Sequence, residues 1–243
     1  MPPKIKKGLT EEDLKLVDPH DLIPKEYFPE PDNPHYDVHK IKLPFRMCCT
    51  APSGTGKTSF IFNLMRMFGK GDGTFRTIHI VCASADEPIY NFLKAKCPDI
   101  KITEGLHTLP KLTKETYDKD ENHWLILDDL VLEKKQDLIC TYYQRCRKFN
   151  VSVSYLSQKF HATPLWIRSN SDIQVILGLD NDRDTKLVLK EFSVGVSKEQ
   201  LWNMYVYATS TRGSPLFINV PCRDLNQKFR KGINEFLKPA DYV

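Results

Sequence analysis

The 243-residue sequence has no C-x-x-C pair and no His/Cys cluster at zinc-ligand spacing, which argues against metal binding through sulfur. Its seven cysteines, Cys48, Cys49, Cys82, Cys97, Cys140, Cys146 and Cys222, are an odd number. That argues against a disulfide framework, and Cys48, Cys49 and Cys82 fall in apolar runs where a free cysteine behaves as a small hydrophobe. No stretch of 18 apolar residues occurs, and no charged n-region, apolar h-region and cleavage site open the chain. Neither a membrane span nor a secretory signal is therefore expected, and the expected setting is the cytosol or a comparable compartment. The formal net charge of +4 is too small to specify a nucleic-acid partner by itself, so its distribution along the chain matters more.

What the chain does contain is a phosphate-binding loop. Ala51-Pro52-Ser53-Gly54-Thr55-Gly56-Lys57-Thr58 lies between an apolar run, Phe45 to Thr50, and a helical pattern, Phe60 to Phe68. Small residues in such a loop let consecutive backbone N–H groups turn inward on a triphosphate. Lys57 can reach the β- and γ-phosphates, and the Thr58 hydroxyl can bind Mg²⁺ at the helix N-terminus. The usual pattern opens with glycine; this one opens with Ala51. Pro52, Ser53, Gly54, Thr55, Gly56, Lys57 and Thr58 are the expected nucleotide-binding residues, with ATP and Mg²⁺ as the expected cofactors.

Residues 1–43 are rich in proline and begin with a basic Lys4-Ile5-Lys6-Lys7 run, the composition of an extended arm; a short helix is expected from Thr10, with Asp13 in a capping-box position. From Phe45 onward, apolar runs alternate with helical patterns: strands at Thr77–Cys82, Asp99–Ile102, Trp124–Leu127, Val151–Ser157 and Ile173–Leu177, helices at Pro88–Ala95, Lys134–Phe149 and Asp182–Phe192. A helix near Lys198–Tyr207 and a last strand at Leu216–Val220 follow. The strand-like runs are almost continuously apolar, so both sheet faces should carry helices, as in a mostly parallel α/β sandwich. The expected organisation is an arm over 1–43, a P-loop NTPase domain over 44–221 and a basic C-terminal tail over 222–243.

The second half of the site is His123-Trp124-Leu125-Ile126-Leu127-Asp128-Asp129, an apolar strand ending in two carboxylates. In a parallel sheet that end lies beside the phosphate loop. Asp128 is the expected Mg²⁺ ligand with Thr58, and Asp129 is expected to orient or deprotonate the attacking water. The next strand, Val151 to Ser157, ends at Gln158, whose amide can donate to a γ-phosphate and accept from a water. This implies an additional strand between those bearing the phosphate loop and the carboxylates.

Together with Gln144-Arg145-Cys146-Arg147-Lys148-Phe149-Asn150 and Trp166-Ile167-Arg168-Ser169-Asn170, these motifs resemble the HerA/FtsK class of DNA-pumping ATPases. More narrowly, the double Asp and the Gln-bearing strand look like the genome-packaging ATPases of poxviruses, other large DNA viruses, virophages and related transposons. The resemblance covers roughly residues 45–190. It implies an ATPase that translocates double-stranded DNA into a capsid, works as a homo-oligomeric ring, meets capsid or portal-vertex proteins and resides in the host cytoplasm or viral factory, or with the virion. It also implies an arginine acting in trans on the neighbouring subunit's site. The matching residue is Arg147, with Arg145 and Arg168 as rivals. The family often has Glu where this chain has Asp129.

The charge distribution supports a polyanionic substrate independently of that resemblance. Between Asp137 and Asp172 there is no acidic residue, while Arg145, Arg147, Lys148, Lys159 and Arg168 fall in the interval. Two other readings stay open at this point. Pro52-Ser53-Gly54-Thr55-Gly56-Lys57-Thr58 also looks like the loop of guanylate kinases, and a non-hydrolysing capsid adaptor would need only to bind nucleotide.

Overall fold

The apolar runs pair edge to edge in a computed structural model that describes residues 31–243 together with residues 15, 16, 18 and 22–24. The helix expected from Thr10 lies outside the described residues. The chain divides into two compact units, Met1–Glu30 and Pro31–Val243. In the second, β1 (Arg46–Thr50), β2 (Thr77–Cys82), β3 (Lys101–Glu104), β4 (His123–Asp128), β5 (Val151–Ser157) and β6 (Ile173–Ile176) are parallel. Three antiparallel strands, β7 (Leu216–Asn219), β8 (Phe229–Lys231) and β9 (Glu235–Leu237), extend the sheet in the spatial order β3-β2-β4-β5-β1-β6-β7-β8-β9. The additional strand expected between those carrying the phosphate loop and the carboxylates is β5.

The helices are α1 (Tyr36–His39), α2 (Lys57–Phe68), α3 (Pro88–Lys96), α4 (Gln136–Arg145), α5 (Leu165–Asn170), α6 (Asp182–Phe192), α7 (Lys198–Ala208) and α8 (Leu225–Lys228). Strand alternation sorts them to the two faces. Trp124 and Ile126 of β4 pack with Ile61 and Leu64 of α2 and Tyr90 and Leu93 of α3. Leu125 and Leu127, pointing the other way, pack with Ile139 and Tyr143 of α4 and Ile167 of α5. A third cluster joins Val188 of α6 and Leu201 and Met204 of α7 to Leu216, Ile218 and Phe229 of the antiparallel strands. Covered faces on both sides account for the near-continuous apolar runs.

Residues 222–243, expected as a basic tail, instead supply α8, β8 and β9. Arg230 of β8 is 1% exposed and donates to the carbonyls of His39 (2.6 Å), Ile233 (3.1 Å) and Lys40 (3.3 Å). Its guanidinium lies over the rings of Phe217 (5.0 Å) and Phe236 (4.4 Å). A charge at an inward position breaks the strand pattern in the sequence, and this set of neutral partners is what makes its burial tolerable. The expected arm boundary near residue 43 also shifts, because Pro31 onward belongs to the same unit as the sheet.

An aromatic group packs at the start of β1 and β4. Phe45, Phe68, Phe75 and Trp124 meet with ring centroids 5.1–6.4 Å apart, and Trp124 Nε1 donates to the buried Ser154 Oγ at 3.0 Å. Trp124→Ala should cost about 3–5 kcal/mol of unfolding free energy in urea denaturation. A loss below about 1 kcal/mol would show that this cluster does not anchor the sheet.

Candidate functional site

Parallel register brings three strand ends level. Thr50 of β1 pairs with Ser157 of β5, and Leu156 of β5 pairs with Asp128 of β4. The chain leaves β1 at Ala51, whose N–H donates to the Ser157 carbonyl at 3.0 Å. Ala51 is fully buried and its φ is not in the left-handed region, so a Cβ is accommodated where the usual motif has glycine. The true glycine positions are Gly54 (φ 76°) and Gly56 (φ 107°), both in conformations that side chains resist. Thr55 closes the turn by donating its N–H (3.3 Å) and Oγ1 (2.8 Å) to the Pro52 carbonyl. Lys57 and Thr58 then open α2, so the loop runs directly into the helix N-terminus.

Asp128, at the end of β4, is 7% exposed. One carboxylate oxygen, Oδ2, accepts from the Tyr90 hydroxyl of α3; the other, Oδ1, is buried without a protein partner. Burial pushes this carboxyl up from its ordinary range, and the Tyr90 hydrogen bond and the Lys57 charge pull against that. A buried carboxylate oxygen with no donor, on a strand end level with the phosphate-loop strand, fits a cation with its bound waters. Thr58 and Asp128 are thus compatible with the expected Mg²⁺ site. Asp129 follows with φ 58°, a left-handed conformation unusual outside glycine. Its Oδ2 accepts from Gln158 Nε2 at 2.7 Å, which ties the ends of β4 and β5 together. Lys57, Thr58, Asp128, Asp129 and Gln158 therefore share one edge of the sheet.

The three candidate arginines, Arg145, Arg147 and Arg168, lie elsewhere. Arg147 sits before β5, at the opposite edge, and pairs through Nη2 with Asp172 Oδ1 at 2.6 Å. Asp172 is also held by Arg46, through Nε to Oδ2 (3.0 Å) and Nη2 to Oδ1 (2.9 Å). Burial pushes the Asp172 carboxyl up, but Arg46 and then Arg147 outweigh it and hold it below the usual carboxylate range. Arg168 is engaged inside the fold: it pairs with Glu191, donates Nε to the Thr163 carbonyl (3.2 Å), and stacks over Phe160 at 4.8 Å. Arg145, on the last turn of α4, is exposed.

Two contributors are not evident from the sequence motifs. Tyr90 reads as an apolar position of a helical pattern, and only the fold aims its hydroxyl at Asp128. Arg212 lies in Thr209-Ser210-Thr211-Arg212-Gly213-Ser214-Pro215, a run of turn formers between α7 and β7, and its Nη2 donates to the Gly54 carbonyl at 3.1 Å.

Sheet order, phosphate loop and carboxylate strand together define a P-loop ATPase. The sequence over residues 35–215 matches the family described as Poxvirus A32 protein, and the chain belongs to that family. No curated protein matches it. Among solved structures, the fold is similar to the genome packaging NTPase B204 of Sulfolobus turreted icosahedral virus 2. In its AMP complex that protein is 11% identical, with a TM-score of 0.53 over 81% of this chain and all of B204. Its ATP-gammaS complex gives 10% identity and a TM-score of 0.51 over 74% of this chain and 94% of that one. ATPases 2 and 3 of EssC from Geobacillus thermodenitrificans, 9% identical, give a TM-score of 0.52 over 81% of this chain and 40% of theirs. Among the described residues no helix is long and apolar enough to cross a membrane.

Tyr90→Phe deletes the hydroxyl that opposes the effect of burial on Asp128. The Asp128 carboxyl should then titrate at a higher pH than in the parent, followed by its carboxyl ¹³C shift. An unmoved titration would separate Tyr90 from the electrostatics of the site.

Proposed function

We propose that this member of the poxvirus A32 family couples Mg-ATP hydrolysis to the movement of double-stranded DNA into a viral capsid. The observation that carries the reading is the Asp128, Asp129 and Gln158 set, level with the phosphate loop on the adjoining strands β4 and β5. The loop N–H groups and Lys57 hold the phosphate chain. Thr58 and Asp128 hold Mg²⁺, which supplies charge neutralisation on the phosphates. Asp129 orients the attacking water and accepts its proton, and Gln158, bonded to that carboxylate, links its position to the presence of a γ-phosphate. The shorter Asp in place of Glu is set in the left-handed conformation and steadied by the Gln158 amide, which restricts where its oxygens point.

Arg147 acts in trans within a homo-oligomeric ring. Its distance from its own phosphate loop, a full strand length away, is what such a role requires, and its side chain is 55% exposed. Asp172 would keep its Arg46 partner if Arg147 moved to a neighbour, so the transfer leaves this half-buried carboxylate paired. Arg168, tied to Glu191, has no such freedom. The stretch from Asp137 to Asp172, free of acidic residues, supports contact with DNA phosphates, multiplied around a ring. The setting is a viral factory or virion, and the partners are capsid or portal-vertex proteins.

Lys57→Ala should abolish nucleotide turnover, and double-stranded DNA should stimulate turnover of the parent chain under conditions where its oligomeric state is known. Full turnover in the Lys57→Ala protein would overturn the site assignment. Arg147→Ala should lose about 10³-fold in turnover with unchanged thermal stability. Mixing Arg147→Ala with Lys57→Ala subunits should restore part of the activity, because each supplies what the other's shared interface lacks. No recovery in mixed oligomers would assign the arginine a role within its own subunit.

A further inference from the structure

The segment that follows Asp129 is fastened by a side chain from the next helix. Leu130 to Glu133 forms a turn closed by the Glu133 N–H, which donates to the Leu130 carbonyl at 3.1 Å. Gln136, the first residue of α4, reaches back over this turn: its Nε2 donates to the Leu130 carbonyl at 2.5 Å and to the Glu133 carbonyl at 2.9 Å. Its Oε1 accepts from the Tyr155 hydroxyl at 3.3 Å. Tyr155 is fully buried in β5, three residues before Gln158, and stands opposite Leu127 in the register.

These bonds determine which way the Gln136 amide faces. Its nitrogen carries two hydrogens and its oxygen can only accept. The two carbonyls of the turn take the two hydrogens, and the Tyr155 hydroxyl gives its proton to the oxygen. Reversed, the amide would set its oxygen against two carbonyl oxygens. Leu130, whose side chain is fully buried, is thereby held at its carbonyl as well.

Asp129 lies between this clamp and its own strand. On the N-terminal side, the peptide joining it to Asp128 is held at both polar groups: the Asp128 carbonyl accepts from Ala83 N–H at 3.1 Å, and Asp129 N–H donates to the Leu156 carbonyl at 3.2 Å. On the C-terminal side come Leu130 and Gln136. An aspartate at φ 58° keeps that conformation only where its surroundings determine it. The carboxylate is steadied by Gln158, the residue assigned above to the γ-phosphate. An amide that turns to a γ-phosphate loosens its hold on Asp129, and the backbone then has to keep the carboxylate aimed.

We infer that Gln136 and Tyr155 are positioning residues for ATP hydrolysis: Tyr155 orients the Gln136 amide, and the amide pins the Leu130–Glu133 turn, which keeps Asp129 in its left-handed conformation. The inference rests on the reading of Asp129 as the group that orients the attacking water. It extends the site to the first residue of α4 and to a buried hydroxyl of β5, both acting through Asp129.

The test follows turnover of the full chain with Mg-ATP and double-stranded DNA, in the oligomeric state of the parent. Gln136→Ala should lower kcat about 10-fold and leave KM within about twofold. Tyr155→Phe, which keeps the ring and deletes the hydroxyl, should lower kcat about threefold with KM again unmoved. In an Asp129→Ala background, Gln136→Ala should add less than about twofold, because nothing remains for it to position. A further loss of about 10-fold in that background, or parent-like kcat in Gln136→Ala, would overturn the inference and leave Asp129 in its role. Parent-like turnover in Asp129→Ala would overturn that role and the inference with it. Hydrogen exchange reads the same tie without turnover: in Gln136→Ala the Asp129 amide should exchange at least about fivefold faster, and the Leu125 amide in mid-β4 at the parent rate. Unchanged exchange at Asp129 would reduce Gln136 to a tie within the start of α4 and refute the inference.

Discussion

Every contact at the phosphate edge depends on the register of β1, β5 and β4. Because both faces of these strands are apolar, hydrophobic pattern alone does not forbid a slipped pairing. Size and one hydrogen bond do. Trp124 fits among Phe45, Phe68 and Phe75, and its indole N–H reaches Ser154 on the neighbouring strand, which holds Ile126 opposite Ser154 and so Asp128 opposite Leu156. A slip of one residue would send the indole to the face lined by Tyr143 and Ile139 and carry Asp128 away from the phosphate loop. The aromatic cluster at the start of the strands thus determines the geometry at their ends.

The two ends of the parallel strands treat a desolvated carboxylate in opposite ways, Asp172 half-buried and Asp128 buried. Asp172 is compensated by one bidentate arginine and a second, exposed one, and its acidity is strengthened. Asp128 receives a single hydroxyl and has one oxygen unpartnered, and its acidity is weakened. The desolvation is of the same kind in both; the difference is in what the neighbours return. A carboxylate fully satisfied by protein serves as an anchor, and one left short of partners is available to a cation. The parallel core therefore carries its structural charge at one end and its chemically available charge at the other.

The central sheet was legible because buried parallel strands write themselves as continuous apolar runs. β2 and β5 match the expected runs end to end, α6 does likewise, and the Gln158-bearing strand is the inserted one. What could not be read has specific causes. Arg230 places a charge at an inward position, so a strand looked like part of a basic tail. Tyr90 is an apolar helical residue until the fold aims its hydroxyl. Arg168 stands in the sequence as a rival to Arg147, and tertiary contacts with Glu191, Thr163 and Phe160 show it to be a packed arginine rather than an exposed one. Arg212 belongs to a loop whose position follows from an antiparallel strand, and antiparallel pairing leaves no motif of its own in these short segments.

The fastening of the C-terminal hairpin carries a practical consequence. Arg230 is held by three carbonyl oxygens and two aromatic rings and is sealed from solvent. Dissolved ions screen exchanges between exposed opposite charges far more than a sealed cation resting on neutral dipoles. Concentrated salt should therefore leave the hairpin, and the loops it carries to the phosphate edge, in place.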